Sequence, residues 1–189
     1  MNGVLPRRRA WPDSCTSEVN ILRTVISLPE SREELRVGKP TVDHASLALL
    51  VTDLLTTIHL LSGYPAVSVQ PEIHRLPQAA IAEKVCHKPC GVRAYYRPDW
   101  GILLDESLNV ESDSFDRSIL LHELVHHVQA ARGRFDTVPS ACDRWDAAER
   151  EAYALQNRFL AEVQSAKHVA MSGWVARCEE KDSPAGTRH

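Results

Sequence analysis

Neither sign of charge dominates this chain: 22 Lys and Arg stand against 25 Asp and Glu, a net charge of −3. A domain that tracks a polyanion needs a basic excess or stripe, so this balance offers no footing for nucleic acid. The Arg7-Arg8-Arg9 triplet is a local charge run and reads as a solvated arm. A hydrophobic leader is also lacking. Met1-Asn2-Gly3-Val4-Leu5-Pro6 contains no apolar stretch long enough for a signal peptide, which makes the cytoplasm the default compartment. No apolar run is clean enough to span a membrane. The longest, Asp43 to Leu61, carries Asp43, Asp53 and interspersed Thr and His residues, which argue against insertion. Internal repeats are absent.

Cysteine is scarce and odd in number, with Cys15, Cys86, Cys90, Cys142 and Cys178 making 5. The compact Cys86-His87-Lys88-Pro89-Cys90 segment suits a local disulfide or a metal clip, though one such pair is a weak metal signal. If Cys86 and Cys90 are oxidised, the working compartment becomes extracytoplasmic and an export signal precedes this chain.

A length of 189 residues points to one domain. Its recognisable elements fall within 41–164. Residues 1–40, with a short apolar segment at Val19–Leu28, read as an N-terminal arm or accessory helix. Residues 165–189 read as a C-terminal extension with a disordered tip. Asp43 to Leu61 is expected to be an apolar helix closed by Gly63 and Pro65, followed by a strand at Ala66–Val69. Val92–Tyr96 and Ile102–Leu104 flank the turn-rich Arg97-Pro98-Asp99-Trp100-Gly101 and predict a hairpin. The fold class is therefore α+β, with a small mixed or antiparallel sheet. His44 and His59 lack partners at ligand spacing and are read as structural or exposed.

Chemistry concentrates in Leu121-His122-Glu123-Leu124-Val125-His126-His127-Val128-Gln129, an H-E-x-x-H pattern. The surrounding run from Ser118 to Ala131 has no Gly or Pro, Asp113 or Ser114 can cap its start, and Gly133 follows its end, so it predicts a helix. His122 and His126 then stand one turn apart on the same face, where two neutral imidazoles can reach one Zn²⁺ at about 2.0–2.1 Å. Glu123 lies about 100° around the helix, placed to take a proton from a water at such a metal. The run is apolar on nearly every face, which predicts burial, and buried His and Glu need partners or a metal. The plainer alternative is a core helix whose histidines hydrogen-bond their neighbours. His127 points about 100° away from His126 and reads as a satisfied, partly buried histidine.

A catalytic zinc needs a third protein ligand and an open position. A second helix, Asp143 to Leu160 with Asp143 as its N-cap, offers Glu149 and Glu151. Its buried stripe is Ala148, Ala152, Leu155, Phe159 and Val163. On an ideal wheel Glu149 falls about 70° from the stripe's centre and Glu151 about 90° on the other flank. One of the two carboxylates is left as a solvated surface charge.

His122-Glu123-x-x-His126 with a carboxylate on a later helix resembles the gluzincin group of zincin metallopeptidases. In several gluzincin families the third ligand stands three residues before an alanine, as E-x-x-A-D or E-x-E-A-N. Glu149-Arg150-Glu151-Ala152-Tyr153 matches that register, so the resemblance selects Glu149, with Tyr153 in place of the usual Asp or Asn. The longer form ending in Gln129 also resembles small bacterial peptidase-like domains of unknown substrate. The likeness covers roughly residues 90–160. The metzincin continuation is excluded, because Gln129 and Arg132 stand where it needs Gly and His.

The resemblance implies a small zincin-like domain: an apolar N-terminal helix, a small sheet, the H-E-x-x-H helix and a ligand-bearing helix. It implies a zinc-dependent hydrolase acting on peptide or protein substrates, with Zn²⁺ on His122, His126 and Glu149 and with Glu123 as general base. The hairpin's edge strand would border the cleft and pair with substrate backbone. Tyr153, Tyr95 and His127 are the candidates for stabilising the oxyanion. The alternative is a catalytically inactive zincin-like binding or regulatory module.

Overall fold

A computed structural model of the chain describes residues 44–170, so the expectations for the N-terminal arm and for the chain beyond 170 lie outside the described residues. Seven elements follow in order: α1 (His44–Ser62), β1 (Ile73–Leu76), α2 (Gln78–Cys86), β2 (Ala94–Arg97), β3 (Gly101–Asp105), α3 (Ser114–Arg132) and α4 (Ala141–Glu162). Four helices and a three-stranded mixed sheet make the fold α+β. None of the described helices is long and apolar enough to cross a membrane.

Helix α1 buries Leu47, Val51, Leu54, Leu55 and Ile58, which recur every three or four residues and so form one stripe. On its outer side Thr52, Thr56 and Thr57 bond back to the carbonyls four residues earlier, which satisfies their hydroxyls without breaking the helix. His59 is exposed and ties to the Tyr64 carbonyl.

The strand expected at Ala66–Val69 does not form. Side chains rather than a neighbouring strand take that backbone. Arg132 donates to the Pro65 and Ala66 carbonyls at 3.1 and 2.5 Å, and His127 Nε2 donates to Val69 at 2.8 Å. The strand lies a few residues later, as β1, and α2 follows it. Neither element was expected from the sequence.

Strand β3 is central, parallel to β1 and antiparallel to β2, so β1 and β2 are the edges. Gly101 makes this crowding possible. Its φ is +73°, and a Cβ there would sit 2.3 Å from the Glu72 carbonyl oxygen of the adjoining chain. Alternation along the strands divides the sheet into two faces. Ala94, Tyr96, Ile102 and Leu104 join the main core beneath α3, whereas Leu103 points to the other face, where α2 brings Ile81 and Ala82. A Cys86–Cys90 disulfide links the end of α2 to the approach to β2.

Helix α3 starts and ends where its sequence directs. The Asp113 carboxylate accepts from the Phe115 and Asp116 N–H groups, and Gly133, at φ +60°, closes the other end. From Leu120 to Gln129 every residue is buried, because α1, α4 and the sheet each take a side. The cap of α4 is Ser140 rather than Asp143: the Ser140 hydroxyl accepts from the Asp143 N–H, leaving Asp143 in the first turn. Ala148, Ala152, Leu155 and Phe159 form its buried stripe as expected, but Val163 lies just past the helix end and is 41 % exposed. Beyond α4, Asn157 clasps both backbone groups of Val169 at 2.8 and 2.9 Å.

Candidate metal centre

The antiparallel packing of α3 on α4 brings three side chains to one point. His122 Nε2 lies 3.3 Å from one Glu149 oxygen, and His126 Nε2 lies 3.2 Å from the other. The two imidazole Nε2 atoms are 3.2 Å apart. Ligands held tetrahedrally at about 2.0–2.1 Å from zinc stand about 3.3–3.4 Å from one another, so the 3.2 Å between the imidazole nitrogens suits two corners of such a site, with the Glu149 carboxylate beside both. Among the described residues, His122, His126 and Glu149 form the group of donors that fits a metal ion.

Both imidazoles are held with Nε2 directed inward. His122 Nδ1 meets Gln156 Oε1 at 3.1 Å. The Gln156 amide nitrogen donates to Ser118 Oγ at 3.0 Å, and that hydroxyl donates to the Phe115 carbonyl at 2.7 Å. The Ser118 proton is committed to a carbonyl, so its oxygen must accept from the Gln156 NH₂, and Gln156 Oε1 is left facing His122. His122 Nδ1 therefore donates to Gln156, and Nε2 is the ring atom that faces Glu149 and the position a cation would take.

His126 is held by a different route to the same end. Its Nδ1 meets Gln129 Oε1 at 2.9 Å, while the Gln129 NH₂ donates to the Ala148 carbonyl and to Glu151 Oε2, both at 3.0 Å. Zinc-binding histidines characteristically donate their other N–H in this way, which fixes ring and tautomer.

Charge follows the geometry. Burial alone would raise the Glu149 carboxyl, but His126 and His122 beside it outweigh that and hold it well below the usual carboxylate range. Burial would likewise lower His126, yet the Glu149 charge lifts it to about 9. A cation at the centre would replace that proton as the partner of Glu149. Glu123 is pushed up by burial, against the opposing pull of His122 and His126, and its carboxylate accepts the Tyr96 backbone N–H. Edge strand β2 and Glu123 are thus neighbours.

The sequence-selected residues divide cleanly. His122, His126 and Glu149 meet, and Glu123 stands beside them. Glu151 turns away, but not to open solvent. It receives Gln129, lies 3.5 Å from Arg134, and its side chain is only 25 % exposed. Of the oxyanion candidates, Tyr153 packs edge-on against the His122 ring with centroids 4.5 Å apart. Burial, together with the Glu149 and Glu123 charges, pushes its phenol above the ordinary value, so it remains an O–H donor.

Tyr95 is excluded, because strand alternation puts it on the α2 face beside Trp100. His127 is excluded too. It is buried between Tyr96 and the Val69 carbonyl, on the flank that straps residues 65–69. Gln156 and Ser118 were not singled out in the sequence. Their signals are positional: Ser118 stands four residues before His122, and Gln156 seven after Glu149, each one or two turns along the site-facing side.

No curated protein and no solved structure matches this chain. A family described as a domain of unknown function matches residues 44–184, which includes every side chain of the candidate centre, and the chain belongs to that family, DUF6647.

Proposed function

We propose that this domain is a zinc-dependent hydrolase that cleaves peptide bonds, a gluzincin-like member of the zincin metallopeptidases. One observation carries the reading: two imidazole Nε2 atoms 3.2 Å apart, each 3.2–3.3 Å from a different oxygen of the Glu149 carboxylate, with both Nδ1 positions already tied to amide oxygens. A hydrogen-bonded core histidine pair needs no such convergence. His122, His126 and Glu149 would hold the ion, and zinc there supplies a Lewis acid that acidifies water and polarises a carbonyl.

The remaining steps belong to the chain's own groups. Glu123, a desolvated carboxylate beside the centre, takes the proton from the attacking water and delivers it to the leaving amine. Its raised affinity for a proton suits that shuttle. Tyr153 donates its O–H to the oxygen that gains charge. The substrate backbone runs along the β2 edge, where Tyr96 already meets Glu123. The Cys86–Cys90 disulfide favours an oxidising compartment over the cytoplasm.

Metal analysis of protein purified under metal-replete conditions is the test. The parent is expected to carry about one zinc per chain, because three ligands plus water complete a catalytic site. His122→Ala should lose it, and Glu123→Gln should retain it while losing turnover of a peptide library. A parent free of zinc overturns the reading. Zinc without turnover supports the second reading, a binding or regulatory module, which is favoured by the closeness of the site: Glu123 is only 8 % exposed.

A further inference from the structure

We propose that Glu151 is a positioning residue of the metal centre, acting through Gln129 on His126; this rests on the zinc reading above. The argument turns on which way round the Gln129 amide sits. Its NH₂ group faces two groups that can only accept, the Ala148 carbonyl and the Glu151 carboxylate, at 3.0 Å each. Rotating the amide by half a turn would set its oxygen against both of them. The oxygen is therefore driven toward His126 Nδ1, which must carry the proton, and the lone pair of Nε2 is left for the metal.

Remove Glu151 and only one acceptor still opposes the flipped amide. In the flipped state NH₂ faces His126 Nδ1, the imidazole proton moves to Nε2, and that atom no longer offers a lone pair to a cation. Glu151 is itself held in place. Arg134 lies 3.5 Å from one carboxylate oxygen and donates to Tyr64 Oη at 2.6 Å, and the Tyr64 hydroxyl bonds the same carboxylate. A four-residue relay, Tyr64 and Arg134 to Glu151 to Gln129, thus ends on a ligand that none of the first three touches.

Zinc affinity of the metal-free, full-length protein, titrated against a chromophoric chelator, tests this without any substrate. Glu151→Ala is expected to weaken zinc binding about tenfold, the lower end of effects from groups behind the ligands. Glu151→Gln still offers an acceptor oxygen to Gln129 and should recover most of that loss. Parent-like affinity in Glu151→Ala overturns the proposal. So does an equal loss in Glu151→Gln, which would assign the effect to charge alone. Melting of the metal-free forms is the control: values close to the parent support positioning, and a fall large enough to account for the lost affinity overturns it. A parent that binds no zinc is a separate result and removes the metal reading itself.

Discussion

His122 and His126 are identical side chains one helical turn apart, aimed at the same carboxylate, yet they are supported in opposite ways. The His122 limb is closed, neutral and buried: Gln156, Ser118 and the Phe115 carbonyl complete it without reaching solvent. The His126 limb passes through Gln129 into a charged cluster whose Arg134 side chain is 47 % exposed. A dry polar chain is stable only when every member is satisfied, because an orphaned group there loses its full solvation. A limb that ends near water can be repaired by water. The same ligand geometry can therefore rest on one rigid support and one adjustable support.

Removing Glu149 should erase the comparison altogether, since both limbs converge on it. Glu149→Ala is expected to release zinc on dialysis against buffer, leaving two protein donors, and metal analysis reads this directly. Retention of a full equivalent would take Glu149 out of the ligand set.

Next in size is the contrast between the two amides. Gln129→Ala and Gln156→Ala should each weaken zinc binding by about 10- to 100-fold, as expected when a metal-binding histidine loses its anchor. Only Gln156→Ala should also cost the metal-free fold heavily, about 1–3 kcal/mol in urea unfolding, because it leaves His122 Nδ1 without its partner in a dry interior, whereas Ser118 keeps its bond to the Phe115 carbonyl. If Gln129→Ala proves the more destabilising, the rigid and adjustable limbs have been assigned the wrong way round.

Acidity sharpens the His126 side. Its folded-state pKa of about 9 exceeds the unfolded value near 6.5. That difference stabilises the metal-free protein fully below about pH 6.5 and is lost as pH rises through about 9. Glu149, depressed by the same pairing, contributes stability above the ordinary carboxylate range and loses it as pH falls. The metal-free melting temperature should thus decline from pH 6.5 to 9. Zinc affinity should rise over that interval, since the metal displaces the His126 proton. Parallel pH series on the two forms check the opposite signs. The smallest effect belongs to Arg150, between the two glutamates: it is paired with Asp146 on the exposed side of α4, and Arg150→Ala should leave zinc content and melting unchanged.

Much of this site is legible in the sequence because its logic is local. A helical repeat places His122, Glu123 and His126 without knowledge of any other element, and Asp113 and Gly133 delimit α3 by capping chemistry alone. The helical wheel barely separates Glu149 from Glu151, the resemblance to gluzincins selects Glu149, and the described structure brings that residue to the histidines. Strands were harder. The alternation at Ala66–Val69 matched a strand, but alternation specifies a face and not a partner, and α3 side chains claimed that backbone first. The β1 and α2 elements are short, and packing on β3 rather than pattern stabilises them.

Composition, spacing and caps by themselves determined an α+β chain with a buried H-E-x-x-H helix and a carboxylate-bearing helix after it. Only the tertiary structure decided that Gln156, 34 residues from His122, would anchor it, and that Glu151 would face Gln129 rather than water. Such pairings depend on the rotation and offset of α4 against α3. Those are set by how many side chains interdigitate at once, and no spacing along one helix records them.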